Sequence, residues 1–150
     1  MKLYGYCRIS TRKQNIERQV RNILTVFPDA IIIREIYTGT NFQGRKELEK
    51  LLKIVQTGDT IIFDSVSRMS RNADEGFQLY EELFRKGIHL IFLKEPHINT
   101  DTYKTAMGNQ LNMTGDAVDL ILEGINRYLL ELAKSQIRLA FEQAEKEVSD

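Results

Sequence analysis

The sequence predicts an α/β fold: a mainly parallel central sheet with helices on both faces, followed by a long C-terminal helix. Over about the first two thirds of the 150 residues, short apolar and β-branched runs alternate with stretches whose apolar residues recur every three or four positions. The first apolar run, residues 3–9, is nearly continuous, which is typical of a parallel strand covered on both faces. Such alternation implies right-handed crossovers and therefore parallel strands.

Each strand and helix has its own signal. Residues 30–36 are too few and too β-branched for a helix, and the helical stretches end near Pro28, Gly58 and Gly87. The pair Asn72 and Glu75 predicts the cap of the third helix. The predicted strands are residues 3–9, 30–36, 60–63 and 88–93, the predicted helices are about residues 15–27, 46–55 and 73–86, and the predicted loops include residues 38–44 and 96–101.

The last third differs in kind. Gly108 and Gly115 divide a short helical piece from a long one, and residues 117–148 contain no proline. About 30 helical residues span about 45 Å, so we expect this helix to protrude from the domain. The alternative is two helices that fold back, with a break near Gly124 or at residues 134–136. The apolar residues step by three and four along a seam that suits a partner helix: Val118, Leu122, Ile125, Leu129, Leu132 and Leu139.

Composition bounds the function. The 21 basic and 21 acidic side chains cancel, so a nucleic-acid partner has to be argued from the local placement of charge. The single cysteine, Cys7, lies in an apolar strand and is predicted to be a buried free thiol. The sequence has no signal-peptide pattern and no apolar run of membrane-spanning length. We therefore expect a soluble, cytoplasmic protein with no membrane partner.

A serine follows the first strand, at the edge where a parallel sheet collects its ligands. Side chains alternate along a strand, so Arg8 and Ser10 project to the same side, about 6.6 Å apart along the chain. A guanidinium therefore lies beside a hydroxyl. Thr11 followed by Gln14 also fits a capping box, and on that alternative interpretation these residues only cap the next helix.

Basic residues recur at the same edge of the sheet. Arg12 and Lys13 stand at the start of the first helix, Arg45 at the start of the second, and Arg71 at the start of the third. An arginine at a helix N-terminus is mildly unfavourable unless an anion is bound there, whereas a phosphate would satisfy both the free N–H groups and the guanidinium forks. Three such mismatches predict an anion site, with Ser10 as the nucleophile of a phosphoryl-transfer reaction.

Metal and nucleotide chemistry have little support in the sequence. Asp59 is a turn residue at the opposite edge of the sheet, and Asp64 is isolated on its strand, where an ion pair with an arginine is expected. His89 and His97 have no paired ligand, and no glycine-rich nucleotide motif occurs. We therefore expect no metal ion and no cofactor, with arginines stabilising the charge.

Three motifs occur in order along the chain. They are Tyr6-x-Arg8-x-Ser10-Thr11-x-x-Gln14 with Gln19, then Thr38-Gly39 with Arg45, then Ser67-Arg68-Met69-Ser70-Arg71-Asn72. Together they resemble the catalytic domain of serine recombinases, the resolvase/invertase family. The resemblance covers residues 1–101 well and implies the fold predicted above.

The resemblance implies a site-specific DNA recombinase. Ser10 would attack a DNA phosphodiester, become joined to the 5′ phosphate and leave a 3′ hydroxyl for rejoining. The residues that would hold the scissile phosphate are Arg8, Arg45, Arg68 and Arg71, with Gln14, Gln19, Arg12 and Lys146 as further substrate-binding residues. Double-stranded DNA is the implied substrate. The implied assembly is a homodimer that becomes a tetramer in synapsis, without a metal or high-energy cofactor.

The chain departs from the family pattern in several places. Ser67 stands where many members have aspartate, and Ala144-Glu145-Lys146 matches the family's Ala-Glu-Arg with lysine in place of arginine. The stretch before that match is much longer than is usual in the family. We assign residues 1–101 to a catalytic core and residues 102–150 to a helical oligomerisation extension. We expect the family's separate DNA-recognition domain to be absent from this chain.

Two other functions stay open at this point. A flavodoxin-like module would bind a phosphate or a mononucleotide at the strand ends, without any reaction at Ser10. A non-catalytic assembly or regulatory subunit would use the long helix only to associate. The second alternative does not explain the basic residues of the three motifs, because such a subunit would not need them.

Overall fold

The computed structural model describes residues 1–11, 14–39, 42–111 and 117–146. The strands of this part of the chain are β1 (Leu3–Ile9), β2 (Ile31–Ile36), β3 (Thr60–Phe63) and β4 (His89–Phe92). Its helices are α1 (Glu17–Val26), α2 (Lys46–Ile54), α3 (Val66–Met69), α4 (Ala73–Arg85), α5 (Thr100–Leu111) and α6 (Ala117–Lys146), and a 3-10 turn (Pro96–Ile98) precedes α5. Among the described residues, no helix is both long enough and apolar enough to cross a membrane.

The four strands are parallel and stand in the order β2-β1-β3-β4. Tyr4 of the central strand β1 lies opposite Ile31 on one side and Ile61 on the other. Tyr4 and Tyr6 pack into a large apolar cluster with α2, α4 and α6, whereas Cys7 packs into a smaller one with α1. Cys7 is a buried free thiol, and burial raises its pKa to about 12. The predicted parallel sheet with helices on both faces is therefore confirmed.

The region between β3 and α6 contains more helix than the sequence predicts. The single turn α3 is not among the predicted elements, and residues 96–101 are not a simple loop, because they hold the 3-10 turn and the start of α5. The hydroxyl of Thr100 accepts a hydrogen bond from the N–H of Leu90 (2.9 Å), which fixes the start of α5 against β4. Gly108 lies inside α5, so the predicted break there is wrong, and Gly115 lies outside the described residues.

The long C-terminal helix predicted from the sequence is confirmed. α6 is continuous from Ala117 to Lys146, so the alternative of two helices that fold back is wrong. The side chains of its C-terminal half that are buried in the large cluster are Ile137, Ala140, Phe141 and Ala144.

The N-terminal half of α6 carries an exposed apolar face. Its exposed side chains include Ile121 (69%), Ile125, Tyr128 (67%), Leu129 and Leu132. The predicted seam is therefore exposed at Ile125, Leu129, Leu132 and Leu139. Its first two members, Val118 and Leu122, have side chains outside the described residues.

Residues on both sides of position 101 share the large cluster. Tyr103 of α5 stacks on Tyr80 of α4 with ring centroids 6.1 Å apart, and Phe141 of α6 meets the edge of the same ring at 6.3 Å. The division into a core of residues 1–101 and an extension of residues 102–150 stays a prediction.

Candidate active site

Ser10 follows β1 directly, at the carboxyl edge of the sheet, and is half-buried. The side-chain oxygen Oε1 of Gln14 accepts three hydrogen bonds, from the N–H of Ser10 (2.7 Å), the hydroxyl of Ser10 (2.8 Å) and the N–H of Thr11 (3.2 Å). Gln14 in turn donates its N–H to the carbonyl of Thr11 (3.2 Å). These contacts hold the serine in place. Because α1 begins only at Glu17, the alternative in which Thr11 caps that helix is wrong.

Arg8, two residues before Ser10, lies inside the protein. Its side chain is 2% exposed and donates to the carbonyls of Tyr37 (3.2 Å), Ser67 (2.7 Å) and Arg68 (3.3 Å). These carbonyls belong to the segments that follow β2 and β3, so one guanidinium joins the ends of three strands. Its predicted role as a phosphate ligand stays a prediction.

Gln19 fixes the backbone of the same arginine. Its amide donates to the carbonyl of Arg8 (2.7 Å) and accepts from the N–H of Arg8 (3.0 Å), and the side chain is buried. Gln14 and Gln19 thus hold the two consecutive parts of the chain that carry Arg8 and Ser10.

Arg45 is fully buried where α2 begins. Its Nη1 donates to the carbonyl of Met69, and its guanidinium lies over the rings of Tyr37 and Phe42, 5.6 Å and 5.3 Å from their centroids. Nε and Nη2 of Arg45 are buried and have no hydrogen-bond partner among the described residues. A buried guanidinium with unused donors is costly, and an anion bound there would reduce that cost.

The buried carboxylate of Glu35 lies at the start of α2, the helix that directly follows Arg45, and no motif of the sequence indicates it. Glu35 accepts from the hydroxyl of Tyr6 (2.9 Å) and from the N–H groups of Glu47 (3.1 Å) and Leu48 (3.0 Å), so it caps the helix that starts at Arg45. Burial raises the pKa of the Tyr6 hydroxyl well above its usual value, and the positive charge of Arg45 opposes this effect only in part. The available signal is a glutamate inside the apolar run of β2, since a buried acid needs several donors.

Arg68 lies in α3 and Arg71 lies in the short link from α3 to α4, and both are half-buried. The side chain of Asn72 accepts from the N–H of Glu75 (3.1 Å), which confirms the predicted cap of α4. Ser67, at the position where many family members have aspartate, is buried, and its hydroxyl lies 2.9 Å from that of Ser65.

The end of α6 reaches the start of α4. Glu145 accepts a hydrogen bond from the N–H of Ala73 (2.9 Å), two residues after Arg71, while Lys146 is exposed. The structure therefore brings the end of α6 close to the segment that carries Arg71. Arg12, another predicted substrate-binding residue, lies outside the described residues.

Residues 3–147 match the family model described as the resolvase N-terminal domain. The chain belongs to the resolvase family. The resemblance seen in the three motifs is thus confirmed, and this family domain is the catalytic domain of serine recombinases.

Relatives of known name agree with this assignment. The transposon Tn21 resolvase of Escherichia coli is 32% identical over 107 residues, which are 70% of this chain and 53% of the relative. The transposon Tn501 resolvase of Pseudomonas aeruginosa is 38% identical over 93 residues, 61% of this chain and 46% of the relative. The chain spans about half the length of the curated relatives it matches.

A solved structure shares the fold of this resolvase-family chain. It is a resolvase family site-specific recombinase from Streptococcus pneumoniae, similar with a TM-score of 0.51 over 93% of this chain and 91% of that chain, at 18% identity. The likeness concerns the fold alone.

Two acidic residues of this resolvase-family domain, Asp64 and Asp59, have structural partners. Asp64 forms an ion pair with Lys94 (3.3 Å) and accepts a hydrogen bond from the amide of Asn22 (2.9 Å). The prediction that its ion-pair partner is an arginine is therefore wrong. Asp59 lies at the opposite edge, where N–H donors of Lys2 and Gln56 hold the pKa of its carboxyl below its usual value. Within the described residues, no group of three or more His, Cys, Asp or Glu side chains is placed to hold a metal ion.

Proposed function

We propose that this chain is the catalytic domain of a site-specific DNA recombinase, in which Ser10 cleaves and rejoins DNA through a 5′-phosphoserine intermediate. The observation that carries the proposal is the position of Ser10: its hydroxyl is held by Gln14 at the same sheet edge as the buried Arg45, whose Nε and Nη2 have no partner among the described residues. A phosphodiester at this edge would meet both a nucleophile and guanidinium donors.

The proposed reaction is a transesterification. The Ser10 hydroxyl oxygen forms a bond to phosphorus, the bond from phosphorus to the 3′ oxygen breaks, and a 5′-phosphoserine ester and a 3′ hydroxyl result. The proton that Ser10 loses is balanced by the one that the 3′ oxygen gains. Rejoining is the reverse reaction with a different 3′ hydroxyl, so one phosphodiester is exchanged for another and no energy-rich cofactor is consumed.

The arginines take the part that metal ions take in other phosphoryl-transfer sites. Arg45, Arg68 and Arg71 bind the non-bridging oxygens of the scissile phosphate, because guanidinium forks match those oxygens and stabilise the charge that builds up during the transfer. Arg8 supports the site from inside the protein, because it joins the segments that follow β2 and β3. Gln14 orients the hydroxyl, and Gln19 holds the strand end. Arg12 and Lys146 contact the DNA around the scissile phosphate.

The proposed assembly is a homodimer that forms a tetramer in synapsis, on double-stranded DNA in the cytoplasm. The exposed apolar face of α6, which includes Ile121, Ile125, Tyr128, Leu129 and Leu132, supports it. Exposed apolar surface of this extent is typical of an association site. Residues 1–101 supply the chemistry in this proposal, and residues 102–150 supply the association.

Covalent trapping tests the proposed function. The chain is incubated with a random-sequence pool of nicked suicide duplexes labelled at the 3′ ends of their strands, so that the fragment that keeps the 5′ phosphate carries the label, and protein-linked DNA is separated on a denaturing gel. We expect the wild-type chain and Thr11→Ala, which removes the neighbouring hydroxyl, to form the adduct, and Ser10→Ala to form none. An adduct with Ser10→Ala, or none with the wild-type chain, would contradict the proposal.

A further inference from the structure

A basic cleft adjoins the site on the side of α1. Its volume is about 320 Å³, and its charged lining consists of Arg18, Arg21, Arg68, Lys94 and Asp64. Gln14 lines the cleft as well and also accepts the hydrogen bond of the Ser10 hydroxyl. The cleft therefore begins at a residue that touches the proposed nucleophile.

The cleft is positive although the chain as a whole has no net charge. Four cationic side chains line it against one carboxylate, and that carboxylate, Asp64, is buried and already holds Lys94 and the amide of Asn22. The remaining positive charge thus comes from three arginines within one small volume. Charge concentrated in a concave site attracts an anion more strongly than the same charge spread over a surface.

Arg18 and Arg21 are the two arginines that α1 contributes to the cleft. They stand one turn apart on the same face of α1, an arrangement in which like charges repel. Within the described part of the chain neither side chain forms an ion pair, and the nearby acid of α1, Glu17, is engaged by Arg34 of β2 (3.1 Å). An anion in the cleft would convert this repulsion into a pair of charge-assisted contacts.

We propose that the basic cleft binds a DNA backbone phosphate that flanks the scissile phosphodiester, with Arg18 and Arg21 as its ligands. This inference rests on the proposed function, since it places the substrate of that same site. The volume lies at the low end of the range for ligand sites, about 300 Å³, and so suits a single sugar-phosphate unit. Phosphate contacts position DNA without reading its sequence, so the cleft sets the register of the duplex over Ser10.

The salt dependence of DNA binding tests the inference. Binding of a fluorescent duplex is measured at several salt concentrations, with Ser10→Ala in every protein so that no DNA is cleaved. Each phosphate contact contributes about 0.9 to the slope of log affinity against log salt. We expect the Arg18→Gln, Arg21→Gln double variant to reduce the magnitude of this slope by about 0.9, because both side chains hold one phosphate, and to bind more weakly at low salt.

The matched control removes the same charge elsewhere. Lys53→Gln with Lys86→Gln replaces two exposed lysines beside the opposite, amino edge of the sheet, and we expect it to leave the slope unchanged. Equal losses in the two double variants, an unchanged slope for the arginine variant, or no DNA binding by the parent protein would each overturn the inference. Failure of the proposed function has a different signature, because it appears as the absence of a Ser10-dependent adduct with the wild-type chain, whatever the slopes are.

Discussion

Two glutamine side chains fix the end of β1, one at Arg8 and one at Ser10. Gln19 holds both backbone polar groups of Arg8, and Gln14 holds the N–H and the hydroxyl of Ser10. A neutral amide suits this position, because a carboxylate there would repel an incoming phosphate. The Ser10 hydroxyl, the proposed nucleophile, is therefore oriented by the protein before any substrate binds.

The guanidinium forks of Arg68 and Arg71 give the first prediction. Replacing either residue by lysine keeps the charge but loses the two-point contact to phosphate oxygens. We expect the rate of adduct formation to fall about 100-fold or more, as when an oxyanion donor is removed, because the transition-state charge loses a donor. The melting temperature should change little.

Gel quantification of the adduct and thermal unfolding are the two measurements for this pair. Arg34→Lys is the control, since Arg34 is an exposed arginine paired with Glu17 outside the site and should leave both unchanged. A loss of stability that matches the loss of rate would assign Arg68 and Arg71 to structural ion pairs instead.

For single residues, the sequence predicts where a side chain lies better than it predicts the groups to which that side chain bonds. The end of the apolar run of β1 correctly places Ser10 at the carboxyl edge of the sheet. It does not predict that Arg8 is almost completely buried, because its acceptors are carbonyls of Tyr37, Ser67 and Arg68, which only the tertiary fold brings together. The role of Glu35 is missed for the same reason, since the N–H groups that it accepts from belong to α2.

Among the elements, α4 and α6 meet at Gly76. A Cβ built on Gly76 would lie 2.5 Å from a ring carbon of Phe141 and 2.9 Å from Cβ of Ser70. Gly76→Ala should therefore lower the free energy of unfolding by about 1–3 kcal/mol through overpacking. Denaturant unfolding measures this, with Gly124→Ala as the matched control.

The control, Gly124→Ala, is expected to change the free energy of unfolding in the opposite direction. Gly124 lies in α6 and is exposed, and a methyl group added to it would have no described atom within 4 Å outside its own helix. Alanine there should raise the free energy of unfolding by about 0.5–1 kcal/mol, the usual difference in helix propensity. A loss of stability at Gly124 similar to that at Gly76 would show that the contact of α4 with α6 is not the cause.

Asp59 links β3 to the N-terminal segment and gives a pH prediction. The N–H donors of Lys2 and Gln56 favour its ionised form and lower its pKa in the folded state. Its stabilising contribution is therefore complete above the ordinary carboxyl pKa of about 3.9 and is lost as the pH falls through the lower folded pKa. Asp59→Asn should lower stability at neutral pH and flatten the acid side of the pH–stability curve.

Chemical unfolding at several pH values measures this effect. Asp29→Asn, which changes an exposed carboxylate in the turn after α1, is the control and should keep the slope of the wild-type chain. An unchanged acid slope for Asp59→Asn would contradict the assigned cause.

The sequence predicts the four strands to within about two residues, because each is a short apolar run between clear turn signals. It does not predict α3, which is a single turn with few residues from which a period could be recognised. It also misplaces the start of α5, because the contact of Thr100 with the backbone of Leu90 is a tertiary one. The continuity of α6 through Gly124 is predicted, since one glycine costs a helix only about 1 kcal/mol.

At the scale of the whole molecule, the apolar face of α6 predicts association. A groove of about 620 Å³ lies between α5 and α6, and Leu129 and Leu132 line it. Placing a charge in a contact that buries this face should be strongly unfavourable. Leu129→Glu should therefore shift the chain towards monomer without unfolding it, because Leu129 is 42% exposed.

Sedimentation velocity at several protein concentrations measures the shift. Ser135→Glu adds the same charge at an exposed polar position of α6 and should leave the association of the wild-type chain intact. A wild-type chain that stays monomeric at high concentration, or equal effects of the two substitutions, would contradict the proposed homodimer.

The central claim is that Ser10 becomes covalently joined to DNA. The most direct measurement is mass spectrometry of the trapped adduct, formed in the presence of a metal chelator, after digestion of the DNA to a single nucleotide and of the protein to peptides. The account predicts a nucleotide joined through its 5′ phosphate to the Ser10 hydroxyl, in an amount that the chelator does not reduce. A nucleotide on any other side chain, or a linkage through a 3′ phosphate, would contradict it.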